Sequence, residues 1–153
     1  MILADSLSKN SILVKVQSKN RWDLIEEMLN VAEKNNSFQN EDKNHILKGL
    51  IEREKSMSTG IGNGVAIPHC TTTLVDKMIV VMAVCQNGID FSAIDNEPVK
   101  IAILLLVPKN KLTQHIKTLA NIAKIMSNAD FRSKLLTLKS PDSILKEIQK
   151  HKN

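Results

Sequence analysis

The sequence predicts an α/β protein, a layered sandwich in which a mixed β-sheet is flanked by helices. Three observations predict it. Residues 78–85 and 99–107 are apolar on both faces, the pattern of central strands covered from both sides. Amphipathic helical periods stand before and after this block of strands. Gly, Pro and Asn-Gly or Asp-Asn pairs punctuate the transitions between them. Helices on both sides of a sheet are one of the few ways to bury an apolar sheet on both faces.

The elements follow in order. Ile12, Val14 and Val16 alternate with Leu13 and Lys15, which predicts a short strand. Trp22, Ile25, Met28, Leu29 and Ala32 recur at helical spacing, with Asp23, Glu26, Glu27 and Lys34 on other faces. Polar residues 35–40 break this helix. A second helix buries Ile46, Leu47, Leu50 and Ile51 and ends near residues 53–55. Residues 58–64 read as a loop, because Gly60, Gly62 and Gly64 cannot hold a helix. Val65, Ala66 and Ile67 predict a short strand stopped by Pro68, with His69 at its end. The run 78–85 is a central strand, Asn87-Gly88 and Asp95-Asn96 are turn signals, and the run 99–107 is a second buried strand closed by Pro108. Leu112, Ile116, Leu119, Ile122, Ala123 and Met126 return to a helical period. A short helix covers 131–138, and a last one has Ser140 as N-cap and Pro141 at its first position.

The 153 residues suit one domain around one core, and 42% apolar with 24% charged residues is an ordinary globular composition. One Trp, three Phe and no Tyr leave the core to aliphatic side chains and Met. The net charge of +5 is spread over lysines from Lys9 to Lys152, with no interleaved aromatics, so no nucleic-acid partner is expected. No secretory leader is visible, and the apolar runs are too short to cross a bilayer. These features predict a cytoplasmic protein, not embedded in a membrane, with Cys70 and Cys85 reduced.

The chemistry concentrates in residues 53–70. Gly60, Gly62 and Gly64 let a backbone approach an anion closely and turn N–H groups toward it. Ser58 and Thr59 offer hydroxyls, and Arg53 a fixed positive charge. The loop is no Walker A, since no Gly-Lys-Ser/Thr follows, and no Rossmann fingerprint, since loop precedes strand. His69 supplies an imidazole that is a good nucleophile when neutral. A zinc site is disfavoured: neighbours His69 and Cys70 face opposite sides of a strand, and no Cys-x-x-Cys or His-Glu-x-x-His spacing occurs.

Glu54, Ile61-Gly62 and Val65-Ala66-Ile67-Pro68-His69-Cys70 together resemble the active-site signature of the mannitol/fructose-type enzyme IIA domains of the bacterial phosphoenolpyruvate-dependent phosphotransferase system. The resemblance covers the chain from about Leu3 to Ile148, and residues 58–69 and 89–99 look most like the nitrogen-regulatory (Ntr) branch. Cys70 stands where that branch usually has Gly, and Thr71-Thr72-Thr73 replaces a more basic stretch.

The resemblance implies a single type-2 enzyme IIA domain over residues 1–153. It implies a phosphocarrier that accepts a phosphoryl group on His69 from an HPr-like phosphohistidine carrier and needs no cofactor. By the same resemblance His115 is the second active-site histidine and Arg53 the residue that stabilises phosphoryl charge. Ser58 and Thr59 would be phosphoryl-oxygen contacts. The competing readings are a core histidine for His115 and a helix C-terminal arginine for Arg53. His45 and His151 read as surface residues. The partner downstream would be a regulatory target or, in the alternative of a fructose- or mannitol-specific enzyme IIA, a IIB domain. No fused IIB domain is expected in a chain of this length, and an apolar patch is expected around His69.

Overall fold

The computed structural model describes residues 3–151 and has the predicted architecture, a mixed six-stranded sheet between two helical layers. The helices are α1 (Leu3–Ser6), α2 (Arg21–Lys34), α3 (Lys43–Ser56), α4 (Leu112–Met126), α5 (Ala129–Thr137) and α6 (Pro141–Lys150). The strands are β1 (Ile12–Leu13), β2 (Gly60–Gly62), β3 (Val65–Ala66), β4 (His69–Thr72), β5 (Ile79–Ile89) and β6 (Val99–Pro108). The sheet order is β1-β5-β6-β3-β2, with β4 also on β6. β6 pairs antiparallel with β5 and parallel with β3 and β4.

Alternation along β6 divides the core. Ala102, Leu104 and Leu106 face α2 and α3, where Leu24, Ile25, Met28, Leu29, Ile46 and Leu50 are buried. Ile101, Ile103, Leu105 and Val107 face the other layer, against Ile122 and Met126 of α4, Phe131 and Leu135 of α5, and Ile144 and Ile148 of α6. Each of the larger side chains among them contributes about 1.5–3 kcal/mol on burial. The caps follow the sequence: Ser140 accepts from Ser143 N, with Pro141 opening α6, and Asn128 caps α5.

Four expectations are corrected. The first strand stops at Leu13, because Gln17 N and Ser18 N turn away to donate to the Glu27 carboxylate. The glycine loop is partly a strand, since β2 pairs antiparallel with β3. Asn87-Gly88 is no turn. β5 runs through it, with an irregular register between Val84 and Ile89, and Ile89 still pairs with Val99. Gly88 has φ +74, and a Cβ there would stand 2.8 Å from Pro98 Cβ, so the glycine serves a close approach within the sheet. Finally, α4 is rotated from its expected face: it buries His115, Thr118, Ile122 and Met126, while Leu112 and Ile116 are exposed.

Candidate active site

Pro68 creates the site's geometry. β3 and β4 lie along the same side of β6 in one register, Val65 opposite Ile101 and His69 opposite Leu105. The ladder is interrupted at Ile67-Pro68, where proline has no N–H to donate. Leu105 N still donates to Pro68 O at 2.9 Å, while Ile67 N turns to the opposite side and donates to Thr59 O at 3.0 Å. His69 therefore opens β4 rather than closing a strand as expected, and shares with Leu105 the face covered by α4. Cys70 faces the other layer, with its Sγ 3.6 Å from where a Cβ on Gly49 would sit. That opposition separates the two metal-type ligands. Burial pushes the Cys70 thiol up to about 11 and that of Cys85 to about 12, so both are poor nucleophiles.

Half-buried His69 stacks obliquely on His115, the ring centroids 5.1 Å apart and the planes inclined by 52°. His69 Nδ1 lies 2.8 Å from the Ile67 carbonyl. A carbonyl only accepts, so Nδ1 carries the proton and Nε2 holds the lone pair of the neutral ring. His115 is 8% exposed, and its Nδ1 has no hydrogen-bond partner among the described residues. Both rings have pKa values below the ordinary histidine value. For His69 burial dominates, the Ile67 hydrogen bond opposes it, Arg53 lowers the value further and Glu54 raises it. For His115 burial again leads, followed by His69 and Arg53. Two neutral imidazoles beside a guanidinium are poised to receive an anion rather than a proton.

Arg53, in the last turn of α3, lines a cleft of about 440 Å³ together with Ser58, Thr59, Ile61, His69 and Leu119. Its Nη1 donates to Met57 O at 2.7 Å. The structure thus brings His69, His115 and Arg53 together. Ser58 and Thr59 border the same cleft, but their hydroxyl protons are committed elsewhere. Ser58 Oγ donates to Phe91 O and accepts from Gly60 N at 3.0 Å, and Thr59 Oγ1 donates to Glu54. In this arrangement both hydroxyl protons are engaged within the protein, and both side chains shape the loop. His45 lies apart, in a depression beside Cys70 and Thr71, and His151 contacts Phe131 and Glu147.

Sequence reasoning missed Arg21 and gave Glu54 no role. Glu54 is fully buried and pairs with Arg21 Nη1 at 3.1 Å. A signal existed: Ile46, Leu50 and Glu54 recur every four residues, so a carboxylate occupies a core position of α3. Nothing in the pattern around Arg21 marks it. Ile61, which lines this cleft, and Met57 (71% exposed), Leu112 and Ile116 (67%) are exposed apolar side chains.

Residues 5–151 match the family described as phosphoenolpyruvate-dependent sugar phosphotransferase system, EIIA 2. The chain belongs to this family. A nitrogen regulatory protein of Pseudomonas aeruginosa is 32% identical over 93% of this EIIA chain and 91% of that protein. The fructose-specific EIIABC component of Bacillus subtilis is 26% identical over 99% of the chain, which spans only 24% of that longer protein. The crystal structure of IIA-Ntr from Neisseria meningitidis superposes with a TM-score of 0.86 at 28% identity, covering 95% and 97% of the two chains. The EIIA fold and the assignment as a phosphotransferase component therefore stand. Among the described residues no helix is long and apolar enough to cross a membrane.

Proposed function

We propose that this chain is a cytoplasmic phosphocarrier of the nitrogen-regulatory type, one EIIA unit over residues 1–153, phosphorylated at His69 Nε2 by the phosphohistidine of an HPr-like carrier. The observation that carries this reading is the His69 Nδ1–H bond to Ile67 O, which leaves Nε2 as the free nucleophile next to His115. In the step, the Nε2–P bond forms as the donor's P–N bond breaks, and the electron pair returns to the donor imidazole. The His69 ring gains positive charge while its Nδ1–H stays bonded to the Ile67 carbonyl, so that hydrogen bond strengthens in the transition state. Arg53 supplies the cation for the transferring group, and His115 a ring donor once its proton faces the phosphoryl oxygens. Phosphoryl transfer of this kind is mainly positioning and charge stabilisation. The exposed Met57, Ile61, Leu112 and Ile116 give a carrier an apolar seat around the reacting ring.

The nitrogen-regulatory relatives at nearly full length favour a regulatory output, in which a target protein senses whether His69 carries phosphate. The second reading, a fructose-type EIIA that passes phosphate to a IIB domain, is favoured by the fructose-specific relative matched over the whole chain. Incubation with phosphoenolpyruvate, enzyme I and HPr-like carriers tests the first step by the appearance of acid-labile phosphate. Adding fructose- and mannitol-type IIB domains then separates the outputs. Rapid stoichiometric transfer to IIB would replace the regulatory reading with the sugar-transport one.

A further inference from the structure

The phosphoryl acceptor is held by a chain of contacts that starts at the far end of the site. Arg21 Nη1, at the first position of α2, donates both to Glu54 Oε2 at 3.1 Å and to Phe91 O at 2.9 Å. Glu54 in turn accepts from Thr59 N at 3.1 Å and from Thr59 Oγ1. Thr59 O accepts from Ile67 N, and Ile67 O accepts from His69 Nδ1. Ser58, on the same loop, is bound to the same Phe91 carbonyl as Arg21. Gly60 is pressed so close to the 91–93 segment that a Cβ there would stand 2.8 Å from Ala93 Cβ.

We propose that Arg21 and Glu54 are positioning residues for the acceptor, a buried ion pair that fixes the Thr59–Ile67 backbone and thereby the tautomer and orientation of His69. This inference rests on the reading of His69 as the phosphoryl acceptor and deepens it. The loop carries its own reason for needing such an anchor. Asn63-Gly64, both at positive φ between the paired Gly62 and Val65, is the favoured two-residue hairpin turn, so the tip of the β2–β3 hairpin sets itself while its base at Thr59 depends on other contacts. The β2–β3 ladder itself is short and irregular in register between Gly60 and Gly62. At that base the Glu54 carboxylate is the group outside the hairpin that is bonded to Thr59 twice. A solvent-facing carboxylate would gain little here. Glu54 is fully buried and Arg21 19% exposed, so the pair is held in one geometry and screened little by salt. The guanidinium also compensates the charge of a buried carboxylate that accepts from three donors. One further effect has the same origin: the Glu54 charge opposes Arg53 at the His69 ring and sustains its basicity.

The test uses the full chain and two variants, Glu54→Gln and Arg21→Gln. Nitrogen-15 NMR of the neutral His69 ring reads the tautomer in unphosphorylated protein, and single-turnover transfer from a phosphorylated HPr-like carrier reads the rate constant apart from the half-saturating donor concentration. For Glu54→Gln the Nδ1–H tautomer should give way to a mixture, and the transfer rate constant should fall about tenfold with half-saturation unchanged. Arg21→Gln should shift both in the same direction by less, and decides the matter if Glu54→Gln does not fold. A folded variant with a lower melting temperature but the wild-type tautomer and rate constant would overturn the proposal and leave the pair a purely structural brace. The NMR arm needs no donor. A wild-type protein that took up no phosphate would therefore sink the phosphocarrier reading, while the tautomer would still decide the relay.

Discussion

The surroundings of His69 and His115 differ, and with them the roles proposed for the two rings. The proton on His69 Nδ1 is assigned by a backbone carbonyl, whereas the buried His115 Nδ1 has no such partner among the described residues. His69→Ala should abolish phosphorylation while leaving circular dichroism and melting close to wild type, because the ring sits at the cleft rather than in the core. Labelling retained in that folded variant would remove His69 from its role. His115→Ala should still accept phosphate but more slowly; losing one donor to a transition-state oxyanion costs on the order of 3 kcal/mol. A variant that melts much lower but transfers at the wild-type rate would make His115 a core histidine. The pH profile follows from the shifts. Since both pKa values lie below the ordinary value of about 6.5, the nucleophilic neutral ring persists at pH values where a free histidine is already protonated. Arg53 lowers both, so Arg53→Gln should move the acid limb of the single-turnover transfer rate upward in pH. Stability has the same sign. The unfolded chain takes up these protons first, so the contribution of the buried neutral rings is intact above about pH 6.5 and is lost as pH falls through the depressed folded values.

At the scale of elements, the two strands interrupted by Pro68 and the rotated α4 create the site, and they were not equally readable. The central strands β5 and β6 were legible because a run that is apolar on both faces, and too short to span a bilayer, fits a strand covered from both sides. The capping of α6 by Ser140-Pro141 was legible because a local rule with one reading governs it. The rotation of α4 was not. Leu112 and Ile116 are apolar in a helical period, and only the tertiary structure shows that this edge is exposed. Asn87-Gly88 misled because a residue pair that favours a turn also favours an irregular strand wherever φ must be positive. Gly88→Ala checks that account: the Cβ meets Pro98 and the φ is unfavourable, so the variant should lose about 1–3 kcal/mol in denaturant titration. An unchanged midpoint would mean that the strand relaxes freely there. The double variant Leu112→Ser/Ile116→Ser should leave the fold intact and weaken docking of the carrier, measured as a raised half-saturating concentration with the rate constant preserved.

For the molecule as a whole, the motif in residues 54–70 identified the family, and the sandwich brings its histidine and the arginine before it together with a second histidine far away in sequence. The histidine comes from the sheet, the arginine from one helical layer and the second histidine from the other, so all three converge only once both cores have formed. Hydroxyl roles were harder to read, because whether Ser58 and Thr59 face a ligand or their own loop depends on Glu54 and Phe91, which are distant in pattern though close in space. A phosphoryl group on His69 would add nearly two negative charges at the cleft. Phosphorylated and unphosphorylated forms should therefore differ at least about tenfold in affinity for the regulated target, or about 1.4 kcal/mol. The central claim, that His69 Nε2 is the acceptor, is tested most directly by phosphorus–nitrogen coupling in nitrogen-15-labelled protein phosphorylated by an HPr-like carrier. Coupling from phosphorus to Nε2 of His69, with the proton retained on Nδ1, is the expected result; phosphate on Nδ1, on His115 or on no histidine would contradict it.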